Sequence, residues 1–228
     1  MRPRSIHPTA ALLAVLALAA CAAGPGTSAA PSPPPAAEVA ELEALYQART
    51  DSARLRFTPA DVDFMTGMIA HHAQALVMAA LAPTNGASPS VRTLCARIIN
   101  AQRDEIATMQ GWLRDRDQVA PEVHIEGTAL MLHGAADHAM HMPGMLTAEQ
   151  LAELEAVRGP DFDRLFLTYM IQHHRGAVTM VHDLFQVDGA ALDDDAFKLA
   201  SDIQVDQLTE IARMERMLDA LPRDDAAR

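Results

Sequence analysis

Residues 64–78 read FMTGMIAHHAQALVM, and residues 166–180 read FLTYMIQHHRGAVTM. Set 102 residues apart, the two stretches share Phe, Thr, Met, Ile, His-His, Ala and a closing Met. A second echo follows each one: QRDEIATMQGWL at 102–113 and QLTEIARMERML at 207–218, now 105 residues apart. The repeated unit is a pair of helices, and the chain carries two of them. Chance apolar patterning does not place His-His, Met, Gln and Glu at matching positions twice, so the repeated polar residues need an explanation.

On a helical wheel at about 100° per residue, Met65, Met68, His72, Ala75 and Ala79 form one stripe. Phe64, His71 and Met78 lie at its other edge. The second copy gathers Leu167, Met170, His173, His174, Ala177, Met180 and Val181. In the partner helices Gln102, Glu105 and Met109 share a stripe with Ile98 and Leu113, as do Gln207, Glu210 and Met214 with Ile203 and Leu218. Polar residues on an apolar stripe point inward or to the seam, where they are costly unless they find partners. The matched placement predicts one His–Glu pair in each hairpin: His71 or His72 with Glu105, and His173 or His174 with Glu210. Adjacent histidines on a helix diverge by about 100°, so one of each pair is free to ligate while the other meets a carboxylate or solvent.

Capping signals divide the rest. Glu38 to Arg56 reads as an N-terminal helix with Leu42, Leu45 and Tyr46 on one face. Thr58-Pro59 opens a helix running to about Ala82 before Pro83, and Ser88-Pro89 opens one running to about Asp115. Thr147 with Gln150 forms a capping box for a short helix over Ala148 to Arg158, ended by Gly159-Pro160. The third long helix covers Asp161 to Gln186 and the fourth Asp193 to Leu221. No alternating strand pattern of useful length stands out. The expected fold class is all-α: a four-helix bundle built from two repeated helical hairpins over 58–221, with a crossover at 117–160.

Composition narrows the function. A hydrophobic share of 50% with 4% aromatics suits helices packed with Ala, Leu, Val, Ile and Met. A formal charge of −12 disfavours a nucleic-acid partner. Arg2 and Arg4, the apolar Ala11–Ala20 and Leu18-Ala19-Ala20-Cys21 look like a bacterial lipoprotein signal. Residues 1–20 are then a signal peptide, Cys21 is the lipidation site, and 21–37 is an Ala/Pro/Ser/Gly tether ahead of the 38–57 helix. That places the protein on a membrane by its lipid anchor, facing an extracytoplasmic space, the periplasm if there are two membranes. Cys95 is left alone, which forbids an internal disulfide. It reads as a small core residue, and its repeat counterpart is Ala200.

Thirteen Met and ten His make a heavy load of soft and borderline ligands. Met68 and His72 are four apart, as are Met170 and His174, so each pair can face one ion from a single helix. Thioether and imidazole together suit copper, above all Cu(I). Glu105 and Glu210, with Gln102 and Gln207, then stand behind the ligands and orient them. His138, Met140, His141, Met142 and Met145 add five donors within eight crossover residues, with His124 and His133 as further additions. A di-iron centre fits less well, because the chain has no Glu-x-x-His. The same methionines could also serve as plain core filler.

The MIxHHxxAxxM element at Met68–Met78 and Met170–Met180, with Met142-Pro-Gly-Met-Leu-Thr-Ala-Glu-Gln-Leu and Phe162-Asp-Arg-Leu-Phe-Leu167, resembles a bacterial domain-of-unknown-function family. That family includes the CopM-like copper-binding proteins and is placed in the ferritin-like superfamily. The resemblance covers about residues 58–221. It implies a ferritin-like four-helix bundle outside the cytoplasm and, for some members, copper binding linked to copper tolerance. It reaches Met68, His71, His72, Met78, Met170, His173, His174 and Met180, with Met142 and Met145. The expected function is an envelope copper-binding lipoprotein that sequesters or delivers copper, not an enzyme. The rivals are a ferritin-like metal oxidase and a metal-free helical scaffold. A homo-oligomer and a copper-transfer partner both remain open.

Overall fold

The computed structural model describes residues 35–54, 56–134 and 142–222. The chain divides into two units between Leu42 and Glu43. Of the first, the described residues are the opening of α1 (Ala36–Arg54); everything after α1 belongs to the second. The structure is mostly helical: α1, α2 (Pro59–Ala80), α3 (Pro89–Arg114), α4 (Ala148–Ala156), α5 (Gly159–Phe185) and α6 (Asp194–Asp219). Strands β1 (Glu122–Glu126) and β2 (Ala129–His133) form a small antiparallel sheet. Helix α2 packs along α3 and α5 along α6, while α2 meets α5 and α3 meets α6 more sparsely.

The helix starts follow the caps. Thr58 and Asp61 form a reciprocal capping box at α2, with Pro59 in the first turn. Ser88 caps α3, Thr147 and Gln150 box α4, and Asp193 caps α6. Gly159-Pro160 departs from the expectation: it opens α5 instead of only closing α4, which stops at Ala156. Proline suits a first turn, where its missing N–H costs nothing. Asn85, only 2% exposed, holds the frayed end of α4 by donating to the carbonyls of Leu154, Glu155 and Val157. Ala36 and Ala37, assigned to the tether, lie in α1. The Leu42, Leu45 and Tyr46 face of α1 is exposed.

The β-hairpin corrects the view that the crossover holds no strand. Val123, Ile125, Leu130 and Leu132 turn inward, while Glu122, His124, Glu126, Ala129, Met131 and His133 stay exposed. That is the period of two that a half-covered sheet requires. Its consequence falls on α2, which the hairpin contacts. From Met65 to Ala79 every α2 residue except Thr66 is buried. The single stripe drawn on the wheel is therefore too narrow, because α2 is covered on all sides by α3, α5, the hairpin and the crossover.

The core falls into two apolar clusters. One joins Met78, Leu94, Ile98, Phe162, Phe166, Met170 and Met214; the other joins Phe64, Met65, Met68, Met109, Val181 and Ile203. Residues matched by the repeat fall in opposite clusters: Met68 against Met170, and Met109 against Met214. The hairpins therefore pack as an approximate two-fold pair. Two aspartates, also 102 residues apart, fasten them. Asp61 accepts a 2.6 Å hydrogen bond from Ala191 N in the α5–α6 loop. Asp163 accepts from Ser88 N, at 3.1 and 3.3 Å, in the α2–α3 loop. Each hairpin's first helix thus holds the other hairpin's loop, so α2 and α5 run antiparallel.

Both carboxylates are buried, at 0% and 3% exposure, so removing either leaves an amide without its acceptor. Asp61→Ala and Asp163→Ala should each lower stability by about 1–3 kcal/mol. Urea unfolding reads this as a lower midpoint at unchanged slope.

Candidate metal centre

Helices α2 and α5 carry His71, His72, His173 and His174 to the centre of the molecule, all at 0% exposure. The paired histidines diverge as helix geometry requires, with ring centroids 6.4 Å apart for His71–His72 and 6.2 Å for His173–His174. His71 and His173 turn toward each other across the α2–α5 contact, their rings 3.8 Å apart and tilted by 40°. His72 and His174 turn toward the partner helices. His72 Nε2 donates to Glu105 Oε2 and His174 Nε2 to Glu210 Oε2, each at 2.7 Å. Of the pairings left open by the sequence, these two form. The carboxylates are partly exposed, with side chains at 14% and 18%, so each pair runs from the buried layer to the surface.

His71 is tied from the crossover. Its Nε2 lies 3.0 Å from the carbonyl oxygen of Pro143. A carbonyl only accepts, so the ring hydrogen sits on Nε2. The Pro143–Gly144 turn gets this close because Gly176 has no side chain: a Cβ there would lie 1.9 Å from Pro143 O. Gly144 adopts φ +79°, the left-handed region glycine occupies without strain. Gln74 fixes the next turn, accepting from Leu146 N at 2.7 Å and donating to Leu146 O at 3.0 Å. The mismatched repeat positions Gln74/Gly176 and Gly67/Tyr169 were the sequence signal for this docking face.

A common pattern emerges. His71, His72 and His174 each donate Nε2–H to an oxygen, and each keeps a buried Nδ1 with no hydrogen-bond partner in the protein. Neither ring nitrogen of His173 has a partner, nor do both amide atoms of Gln102 or Oε1 of Gln207. Buried polar atoms are seldom left this way, and here they cluster in one layer. Burial, then the charge of His72, pushes the His71 pKa down to about 3. Burial, then the charges of His71, His174 and His72, holds His173 well below its ordinary value; the His71 backbone opposes this without reaching hydrogen-bond geometry. Both rings are neutral near pH 7, the form that carries a free lone pair.

The methionines sit beside this layer. Met68, Met78 and Met170 are at 0% exposure inside the apolar clusters, and half-buried Met180 packs against one of them. Met142 Sδ rests on Gly67, 2.9 Å from where a Cβ would stand, and Met180 Cε is 3.5 Å from the same point. Met145 is half-buried. His138, Met140, His141 and Cys21 lie outside the described residues. Partial desolvation, then the charges of Glu105, Glu210 and Asp202, raises the Asp206 carboxyl, so the seam where both His–Glu pairs surface is acidic. Among the described residues no three His, Cys, Asp or Glu side chains already converge on one point. The layer is a set of pairs, not a closed coordination sphere.

Cys95 is buried, and burial followed by Asp163 pushes its thiol up to about 12, which suits a core residue. Among the described residues no helix is long and apolar enough to cross a membrane.

Residues 61–218 match the family model described as a domain of unknown function, DUF305. Among solved structures, the chain is similar to a DUF305 fragment from Deinococcus radiodurans, with 31% identity and a TM-score of 0.60 over 72% of this chain and 99% of that one. It is similar to a putative secreted DUF305 protein from Streptomyces coelicolor, with 26% identity and a TM-score of 0.58 over 70% and 91%. It is also similar to CopM, solved in Cu(I)-bound and Cu(II)-bound forms, with 26% and 27% identity and TM-scores of 0.52 and 0.53, each over 70% and 95%. No curated protein matches.

The depressed histidines make metal-free stability depend on pH. Unfolded, His71 and His173 titrate near 6.5; folded, His71 does so at about 3 and His173 also well below. Between these limits the unfolded chain binds more protons, so stability falls as pH drops from 6.5 toward 3 and is level above 6.5 with respect to these groups. The expected slope is on the order of 1 kcal/mol per pH unit per histidine. Urea midpoints across pH 4–8 check it, and His71→Leu with His173→Leu should flatten the acid limb.

Proposed function

Since the chain belongs to the DUF305 family, we propose that it is a copper-binding protein of the bacterial envelope that sequesters or passes on copper without turning over a substrate. The observation that carries this reading is the histidine layer. Imidazoles that bind metals almost always give their other N–H to a carboxylate or a backbone carbonyl, which fixes the tautomer and aims the free nitrogen. His72, His174 and His71 are arranged in that way by Glu105, Glu210 and Pro143. Their unpartnered Nδ1 atoms are the donors offered, and His173 adds a ring free at both nitrogens. The residues therefore fit copper, which takes imidazole readily and, as Cu(I), thioether as well. Met142 and Met180 over Gly67 are the accessible soft donors; Met68, Met78 and Met170 line the layer from the apolar clusters.

The chain's own residues divide the work. Glu105 and Glu210 hold the protons of His72 and His174 on Nε2 and keep both rings in place. Pro143, seated on Gly176, does the same for His71. The apolar clusters above and below exclude water, which keeps His71 and His173 neutral. CopM was solved with copper in both oxidation states, and the same metal is our assignment here, as Cu(I). We further read the two packed hairpins as a ferritin-like four-helix bundle, and Cys21 as the lipidated residue that anchors the mature chain, with the residues between it and α1 as tether. The secreted relative supports an extracytoplasmic location. The metal-oxidase alternative would require carboxylate-rich ligation that the layer lacks.

Anaerobic Cu(I) titration against a competing chromogenic chelator tests the reading. Wild-type protein should withdraw copper stoichiometrically. Glu105→Gln with Glu210→Gln should weaken binding by about 10–100-fold, and His72→Ala with His174→Ala by more. Affinity should also fall as pH drops and imidazole protonates. Unchanged affinity in the double histidine variant would rule out the histidine layer as the site.

A further inference from the structure

We propose that the outward face of the β1–β2 hairpin is a second copper site, separate from the buried histidine layer and suited to Cu(II). In the antiparallel register His124 stands opposite Met131, and Glu122 opposite His133. Side chains alternate along a strand, so these four residues share one face, opposite the one that Val123, Ile125, Leu130 and Leu132 turn inward. They occupy the corners of a rectangle. Its short sides are cross-strand neighbours, with Cβ atoms about 5 Å apart. Its long sides are next-but-one neighbours along each strand, about 7 Å apart. An ion above the centre is within reach of two imidazoles, a carboxylate and a thioether.

Three observations favour a ligand over a plain solvated face. Met131 is 40% exposed and is, among the described residues, the one methionine in the exposed class. A methionine placed there gains little as core filler. The other three side chains are exposed too, and among the described residues none of the four makes a side-chain hydrogen bond or ion pair. The hairpin is also a firm base, since Val123 and Ile125 pack into the core cluster around Met65 and Met109. As the side chains stand, these donors do not yet converge on one point. Closing on an ion needs rotation about side-chain bonds only, because the register already fixes the Cβ positions.

The donor set selects the metal. Two imidazoles with a carboxylate suit tetragonal Cu(II), which heads the affinity order of the divalent first-row ions, and a thioether is a tolerated weak further ligand. The buried layer, with its unpartnered ring nitrogens and neighbouring sulfurs, favours Cu(I).

Cu(II) titration of the full-length chain, in the presence of excess glycine and followed by electron paramagnetic resonance, tests the site. Wild type should show a Cu(II) equivalent with hyperfine structure from two nitrogens. His124→Ala and His133→Ala should each weaken that equivalent by about tenfold or more, and the double variant should lose it. His72→Ala with His174→Ala should keep it, so failure of the buried layer as a Cu(I) site leaves this result readable. Two outcomes overturn the proposal: a hairpin double variant that holds as many Cu(II) equivalents as wild type, or wild-type copper that glycine strips completely. Far-UV circular dichroism of the hairpin variants should match wild type, since the replaced side chains face solvent.

Discussion

Four imidazole rings cut off from water set the terms on which the two hairpins pack. An ionised imidazole in that setting has lost its hydration, and its neighbours are other histidines that would repel it. Burial therefore keeps His71 and His173 neutral, and three of the four rings pass an N–H to an oxygen. Glu105 and Glu210 reach in from the partner helices, and Pro143 reaches in from the crossover. This last contact dictates more sequence than the others. It places a backbone carbonyl directly on a helix, so residue 176 can carry no Cβ and residue 144 must accept a left-handed turn.

The crossover also explains where the repeat breaks down. Many positions facing inward in both halves carry the same residue: Phe64 and Phe166, Met68 and Met170, the two His-His pairs, Gln102 and Gln207, Glu105 and Glu210. Positions facing the crossover differ. Gly67 makes room for Met142 where the second copy has Tyr169, whose hydroxyl bonds Glu153. Gln74 grips the backbone of Leu146 where the second copy has Gly176. A duplicated scaffold has thus been specialised on the one face that meets a segment present only once.

Much of this was legible in the sequence, for identifiable reasons. Caps and proline positions located the helices, because their signals are local. The repeat identified the inward polar residues, and spacing narrowed the His–Glu pairs to two choices each. Choosing between them needed the direction of each ring, which a wheel gives only to within a turn. The β-hairpin was not read. Its strands are five residues each, and Ala129-Leu-Met-Leu-His133 has side chains as compatible with a helix as with a strand. Nor does any residue pattern announce that the Pro143 carbonyl meets His71, since a backbone contact across 72 positions leaves only the small size of Gly176 as its trace.

The exchange of loop anchors between Asp61 and Asp163 has a wider meaning. A lone hairpin with such an aspartate and such a loop cannot satisfy one with the other, because the acceptor stands at the far end from the amide. Two copies laid head to tail satisfy both at once, which is the self-complementary contact of a two-fold homodimer. Joining the copies in one chain makes that association intramolecular, so it no longer depends on protein concentration, and it frees each half to drift apart in sequence wherever only one of them meets the linker. The molecule has the anatomy of a dimer within a single polypeptide.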